Sequence, residues 1–172
     1  RIRHQFVEWL TPLARWRDRP ALHEAVGHDT RAAERGTTVV DWVVGAAMLV
    51  PTAEFRAVGG FDERFFMNSE EVDLQRRLKQ RGVPSVALGS PTLLHAGAGS
   101  SSGPERRRGW LVRSQLEYAA KWGCRRRLTA ALMIATGLNF VWNSGRRALS
   151  KSVRPVHTAR HELGMLRLER QR

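Results

Sequence analysis

Charge is unevenly divided along this chain, and that division limits what each part can fold into more than any other feature. Up to Gly103 there are 13 Lys and Arg against 12 Asp and Glu, whereas the last 69 residues hold 16 against 4. A nearly balanced surface suits a globular core. A strongly basic block suits an anionic partner, and nucleic acid and the anionic surface of a membrane are the two classes that fit. A hydrophobic fraction of 42% over 172 residues is enough for an ordinary folded domain, which excludes fibrous and low-complexity classes. The single cysteine, Cys124, excludes an internal disulfide framework and a multi-cysteine zinc site, and it reads as structural. The chain opens at Arg1 with neither an initiator methionine nor a secretory signal pattern, so the expectation is a piece of a longer protein.

Hydrophobic spacing sets the expected elements. Phe6, Trp9, Leu10, Leu13 and Trp16 recur at helical intervals, which predicts one amphipathic helix followed by a polar loop. From Thr37 to Val50 the run TTVVDWVVGAAMLV is rich in β-branched residues and too short to span a bilayer. It predicts one or two buried strands with Gly45 as a point of close approach, stopped by Pro51. A short helix over Thr52–Val58, a helix from Asn68 or Ser69 to Gly82, and a strand over Val83–Leu88 follow. Leu93, Leu94 and His95 lead into the Gly/Ser stretch AGAGSSSGPERRRG, where the core ends and a boundary is placed after residue 103. Trp110 to Trp122 predicts a helix stopped by Gly123. The run 128–145 carries no charge but includes Thr129, Thr136, Asn139 and Asn143. It is too short and too polar for a spanning helix of about 20 apolar residues, and predicts a helix lying in the membrane interface. Val156 to Arg170 sets Val156, Ala159, Leu163 and Leu166 on one stripe of a basic amphipathic helix.

The stretch from Asp41 to Ser100 holds the candidate chemistry. In order it contains Gly45-Ala46, Val58-Gly59-Gly60-Phe61-Asp62-Glu63, Phe65-Phe66, Glu70-Glu71-Val72-Asp73-Leu74, a basic helix to Gly82, and His95 ahead of Ser100. An acidic pair at a helix start offers a proton acceptor, and general-base help typically contributes 10²–10⁴-fold. A helix start favours the same residues without any function. First-turn acids gain roughly 0.3–1 kcal/mol each from the dipole, and Asn68 with Glu71 has capping-box spacing. Asp73 is left open between orienting the preceding loop and capping the helix, while Asp62 and Glu63 set the turn after Gly60.

Across residues 41 to 100 these motifs resemble the second half of family 2 glycosyltransferases of the GT-A fold, in particular rhamnosyltransferase-like enzymes of bacterial cell-envelope assembly. The resemblance implies an α/β fold class. Residues 1–103 would be the acceptor-side half of a Rossmann-like GT-A domain, and 104–172 a helical, basic, membrane-associating tail. It implies inverting transfer of a sugar, rhamnose among the candidates, from a nucleotide-sugar donor to a lipid-linked or polysaccharide acceptor. Glu71 takes the base position with Glu70 beside it, where the family usually has aspartate; Asn68 stands for the usual tyrosine and Pro51 for a common arginine. Trp42, Gly45, Asp73 and Ser100 fall on substrate-side positions, with Trp42 left open between a wall of the site and a core residue. His95 matches the diphosphate-side histidine and implies a divalent metal, Mg or Mn, for which neutral imidazole is a competent ligand. Arg106, Arg107 and Arg108 are placed either on phosphate oxygens or on a solvated face. The donor-binding half with its Asp-x-Asp motif is not in the chain, so the expectation is no turnover alone.

Two other classes compete. One is a basic nucleic-acid-binding module, and the other a noncatalytic homologue serving as a scaffold. The uncharged run at 128–145 speaks against the first, because nucleic-acid grooves interleave basic and aromatic residues. The expected partners are therefore a nucleotide-sugar, a lipid-linked saccharide and an anionic membrane, with no nucleic acid, and the expected place is the cytoplasmic face of the cell membrane as a peripheral protein.

Overall fold

The β-branched quartet Thr37-Thr38-Val39-Val40 forms a strand, as its composition favours, and pairs with Ser85–Leu88. The structure, a computed structural model, describes residues 2–16, 19–25, 36–94 and 103–167. In chain order the elements are α1 (Ile2–Trp9), a 3₁₀ helix (Thr11–Trp16), α2 (Pro20–Ala25), β1 (Thr37–Val40), α3 (Thr52–Ala57), α4 (Glu70–Gln80), β2 (Ser85–Leu88), α5 (Pro104–Lys121), α6 (Arg125–Leu149) and α7 (Pro155–Arg167). The described residues are mostly helical, with one small antiparallel sheet in which Thr37 lies opposite Leu88 and Val40 opposite Ser85.

One compact unit comprises the described residues of 29–118, and the other those of 1–28 and 119–172. In the first, α4 supplies the centre of the core: Leu74 and Leu78 are buried, as are Val112 and Leu116 of α5 and Phe65 of the preceding loop. Acids in the first turn of α4 and Arg77 and Lys79 in its last turn match the helix dipole at both ends. Helix α3 ends in a Schellman turn, with Gly60 N–H bonded to the Phe55 carbonyl (2.9 Å) and Gly59 N–H to that of Arg56 (3.0 Å). Gly59 and Gly60 both have positive φ (79° and 69°), a conformation that other residues reach only under strain.

The expectation of buried strands through Val50 is corrected. Pairing stops at Val40 because the next backbone groups bond to a helix: the Gln75 amide takes both the N–H and the carbonyl of Val43 (2.8 Å each), and Lys79 Nζ donates to Asp41 (2.7 Å). Val44 and Leu49 are exposed. The strand at 83–88 begins at Ser85, and the helix expected over 110–122 starts at Pro104.

In the second unit, α6 packs against α1 and α7. A single helix through Trp16 was expected; α1 instead ends at Trp9 and a 3₁₀ turn follows. Asn139 of α6 explains the break, since its Oδ1 accepts the Thr11 N–H (2.7 Å) and its Nδ2 donates to the Trp9 carbonyl (2.9 Å) and to Glu162 (3.1 Å). Trp9 Nε1 also donates to Thr136 Oγ1 (2.9 Å). Three polar residues of the uncharged run thus face inward, Thr136, Asn139 and Asn143, all buried. Met133, Ile134, Leu138, Val141 and Trp142 are exposed. On α7 the stripe is displaced by one position: Pro155, Glu162 and Met165 are buried, while Val156 is exposed. Among the described residues no helix is long and apolar enough to cross a membrane.

Candidate functional site

The start of α4 is held from two sides. From within the helix, Asp73 is fully buried and its Oδ2 accepts from Arg77 Nε (2.8 Å), at the i,i+4 spacing that brings helical side chains together. Arg77 then donates Nη1 to the Val58 carbonyl and Nη2 to the Gly60 carbonyl (2.7 Å), so this pair ties the Gly-Gly turn to the helix. Just beyond the turn, Asp62 accepts from the Arg64 N–H and side chain, which closes the next bend. From the side of α5, Ser114 Oγ donates to the Met67 carbonyl (2.7 Å).

Between these anchors the backbone is strained. Asn68 and Ser69 both have positive φ (68° and 71°), and consecutive non-glycine residues in this region cost of order 1–3 kcal/mol each. Ser69 occupies the N-cap position and makes no side-chain cap bond. The capping box expected of Asn68 and Glu71 is therefore not formed. The Nδ2 of Asn68 and one carboxyl oxygen each of Glu70 and Glu71 are buried without a partner. Buried polar groups are ordinarily satisfied, and leaving one unpaired costs about 1–3 kcal/mol, so three together with two strained residues mark a stretch built for something other than stability.

Glu71 is the residue on which the surroundings converge. Gln75, one turn on, grips Val43 and also donates to the Glu71 carbonyl (3.0 Å), which lays the loop containing Gly45 against the Glu71 side chain. A Cβ at Gly45 would lie 3.1 Å from Glu71 Cβ, so this glycine is the close-approach point expected from the sequence, and what approaches it is the acid. Burial raises the Glu71 pKa from its ordinary value and the neighbouring Glu70 charge raises it further, against an opposing pull from the backbone N–H groups of residues 71, 72 and 69. A carboxylate with an open oxygen and a raised pKa is a stronger proton acceptor than an exposed glutamate.

The structure brings Glu70, Glu71 and Gly45 together. Half-buried Trp42 lies on the same gripped loop. Asp73 sits beneath, turned onto Arg77, where it orients the Gly-Gly turn. His95 and Ser100 lie outside the described residues. Arg106 stacks over Trp110 (5.0 Å), whose ring meets that of Phe66 edge-on (5.1 Å); Phe66 itself is 70% exposed. Gln75, Arg77 and Ser114 were not singled out in the sequence. The first two were signalled by their i+4 spacing from Glu71 and Asp73, whereas nothing local points from Ser114 to Met67. Among the described residues no group of three His, Cys, Asp or Glu side chains could hold a metal ion.

No family model matches the chain, and no solved structure matches it. Curated proteins do. It is 47% identical over 62 residues, 36% of its length, to N-acetylglucosaminyl-diphospho-decaprenol L-rhamnosyltransferase of Mycobacterium tuberculosis, of which that stretch covers 20%. It is 50% identical over 46 residues, 27% of its length, to the rhamnosyltransferase WbbL of Escherichia coli, covering 17% of that protein. The matched part of the chain thus spans about a fifth of the length of these relatives. Over these stretches the curated homologues of the chain are rhamnosyltransferases, members of the family 2 glycosyltransferases.

Proposed function

We propose that the chain is the acceptor-side portion of a GT-A glycosyltransferase in which Glu71 removes the proton from the acceptor hydroxyl while the nucleoside diphosphate leaves from the opposite face of the sugar. The observation that carries this reading is the buried, unpartnered carboxyl oxygen of Glu71, with raised pKa, between a strained helix start and a glycine that leaves room for it. Attack by the hydroxyl oxygen on the anomeric carbon forms the new glycosidic bond as the bond to the diphosphate breaks. The proton passes to Glu71, and the configuration inverts. Glu70 stands beside the base in the first turn of the same helix. Both relatives support rhamnose as the sugar, and the mycobacterial one supports its L form and a prenyl-diphosphate-linked N-acetylglucosamine as the acceptor. Among the described residues, which do not include His95, no group of three His, Cys, Asp or Glu side chains could hold the implied divalent metal.

We further infer that the basic unit rests on an anionic membrane surface. The exposed stripe of Met133, Ile134, Leu138, Val141 and Trp142 lies between Arg125-Arg126-Arg127 and Arg146-Arg147. Apolar burial and about 1 kcal/mol per basic residue near anionic lipid would act together. The natural protein, given nucleotide-activated L-rhamnose and the lipid-linked acceptor, is expected to add one deoxyhexose with inverted anomeric configuration. Retention of configuration, or no transfer with this and other activated sugars, removes the reading. Flotation with anionic liposomes is expected for intact protein and not after removal of residues 124–172; flotation that survives this removal removes the membrane role.

A further inference from the structure

Where the C-terminal end of α6 meets the first turn of α7 there is a groove of about 560 Å³, a volume in the range of small-molecule sites. Arg147, Arg154, Arg160 and His157 line it, with Phe140 and Val156 as its apolar walls. Arg147 Nη1 donates to the Val153 carbonyl (2.9 Å), which steadies this guanidinium on the connecting turn. Among the described residues no carboxylate pairs with Arg147, Arg154 or Arg160. Residues 119–161 contain nine Lys and Arg and no Asp or Glu. Guanidiniums gathered on one groove repel one another, and within this stretch the chain supplies no counter-charge.

The backbone adds to the same field. Thr158 N–H closes the first bond of α7, to the Arg154 carbonyl (3.0 Å), so Pro155 opens the helix and brings no N–H. The N–H groups of Val156 and His157 are first-turn donors without intrahelical acceptors, and Arg154 at the cap position has no side-chain oxygen to receive them. A helix N-terminus with free donors attracts anions, and guanidinium forks match phosphate oxygens two at a time.

We propose that this groove is a binding site for a phosphate or diphosphate group. Arg154 and Arg160 would hold its oxygens, the first turn of α7 would face it, and Phe140 and Val156 would contact whatever the phosphate is attached to. The site lies in the unit formed by residues 1–28 and 119–172, whereas α4 belongs to the other unit, so it stands or falls independently of the sugar-transfer reading. A lipid headgroup and a soluble phosphate compound share this chemistry.

Calorimetric titration of the full chain with inorganic diphosphate tests the proposal. Saturable binding is expected, weakened about tenfold or more in Arg154→Gln/Arg160→Gln, because each charge-assisted bond is worth at least that factor. Arg126→Gln/Arg127→Gln removes equal charge at the other end of α6 and is expected to stay within about twofold, as exposed charges distant from a site are screened. Vesicles then separate the sources. Preference for phosphatidic acid over phosphatidylserine at equal charge, competed by diphosphate and lost with Arg154 and Arg160, identifies a lipid headgroup. Diphosphate binding without that preference identifies a soluble ligand. Absence of saturable binding, or equal weakening by the Arg126/Arg127 pair, overturns the site.

Discussion

Replacing Gly45 by alanine isolates the contact on which the candidate site depends. The new Cβ would stand 3.1 Å from Glu71 Cβ and 3.3 Å from Cγ, inside the roughly 3.5–4.0 Å at which carbon atoms attract. Something must give by a few tenths of an ångström. Rotation cannot move Glu71 Cβ, so the helix start and the loop held at Val43 must part slightly, while Glu71 Cγ turns aside and carries its carboxylate further than its stem. A misplacement near 1 Å costs on the order of 10²-fold in rate, and the smaller shift expected here about tenfold. Stability responds differently. Gly45 does not need the left-handed backbone, so alanine gains about 0.4–1 kcal/mol from restricting the unfolded chain, which roughly offsets the crowding. Initial transfer rates with saturating donor, beside urea denaturation of the same samples, read both quantities. The expectation is a rate near a tenth with a denaturation free energy changed by less than about 1 kcal/mol. An unchanged rate would refute the placement of Glu71 against this loop, and a loss of several kcal/mol would make Gly45 a packing residue.

Three further outcomes follow from the same geometry. Arg77→Met removes the ion pair of the buried Asp73 carboxylate and frees the Gly-Gly turn, and is expected to cost about 3–5 kcal/mol in urea denaturation, whereas Arg77→Met with Asp73→Leu recovers much of it. Asn139→Ala strips bonds from Thr11, Trp9 and Glu162 together and is expected to lower stability by about 2–4 kcal/mol, while transfer at temperatures well below melting stays unchanged. The raised pKa of Glu71 means that the folded state holds the proton more tightly than the unfolded chain. Its contribution to stability is therefore full below the ordinary value near 4.5 and is lost as pH rises through the folded value, and this decline is expected to vanish in Glu71→Gln when denaturation is followed against pH.

What could be read from the sequence was local. The Gly59-Gly60 stop, the helix to Gly82 and the role of Asp62 in the turn each rest on residues within a few positions of one another, and the structure has them so. The run from Thr37 to Val50 misled because β-branched residues signal a strand wherever a partner strand exists, and beyond Val40 the partner is the side chain of Gln75. The inward polar face of α6 was equally hidden. Asn139 looks like a residue that spoils an apolar helix until the segment near Thr11, distant in sequence, comes to meet it. In the site, the acids and Gly45 were visible, but their contact was not, since it passes through Gln75.

The central claim is that Glu71 is the proton acceptor, and the direct measurement is the transfer rate of Glu71→Gln in the natural protein with donor affinity determined alongside. Loss of a general base predicts a rate reduced by at least about 10²-fold with donor binding nearly intact, and a smaller loss for Glu70→Gln. A Glu71→Gln protein that keeps more than about a tenth of the wild-type rate would contradict the account, since that is more than removal of the base allows.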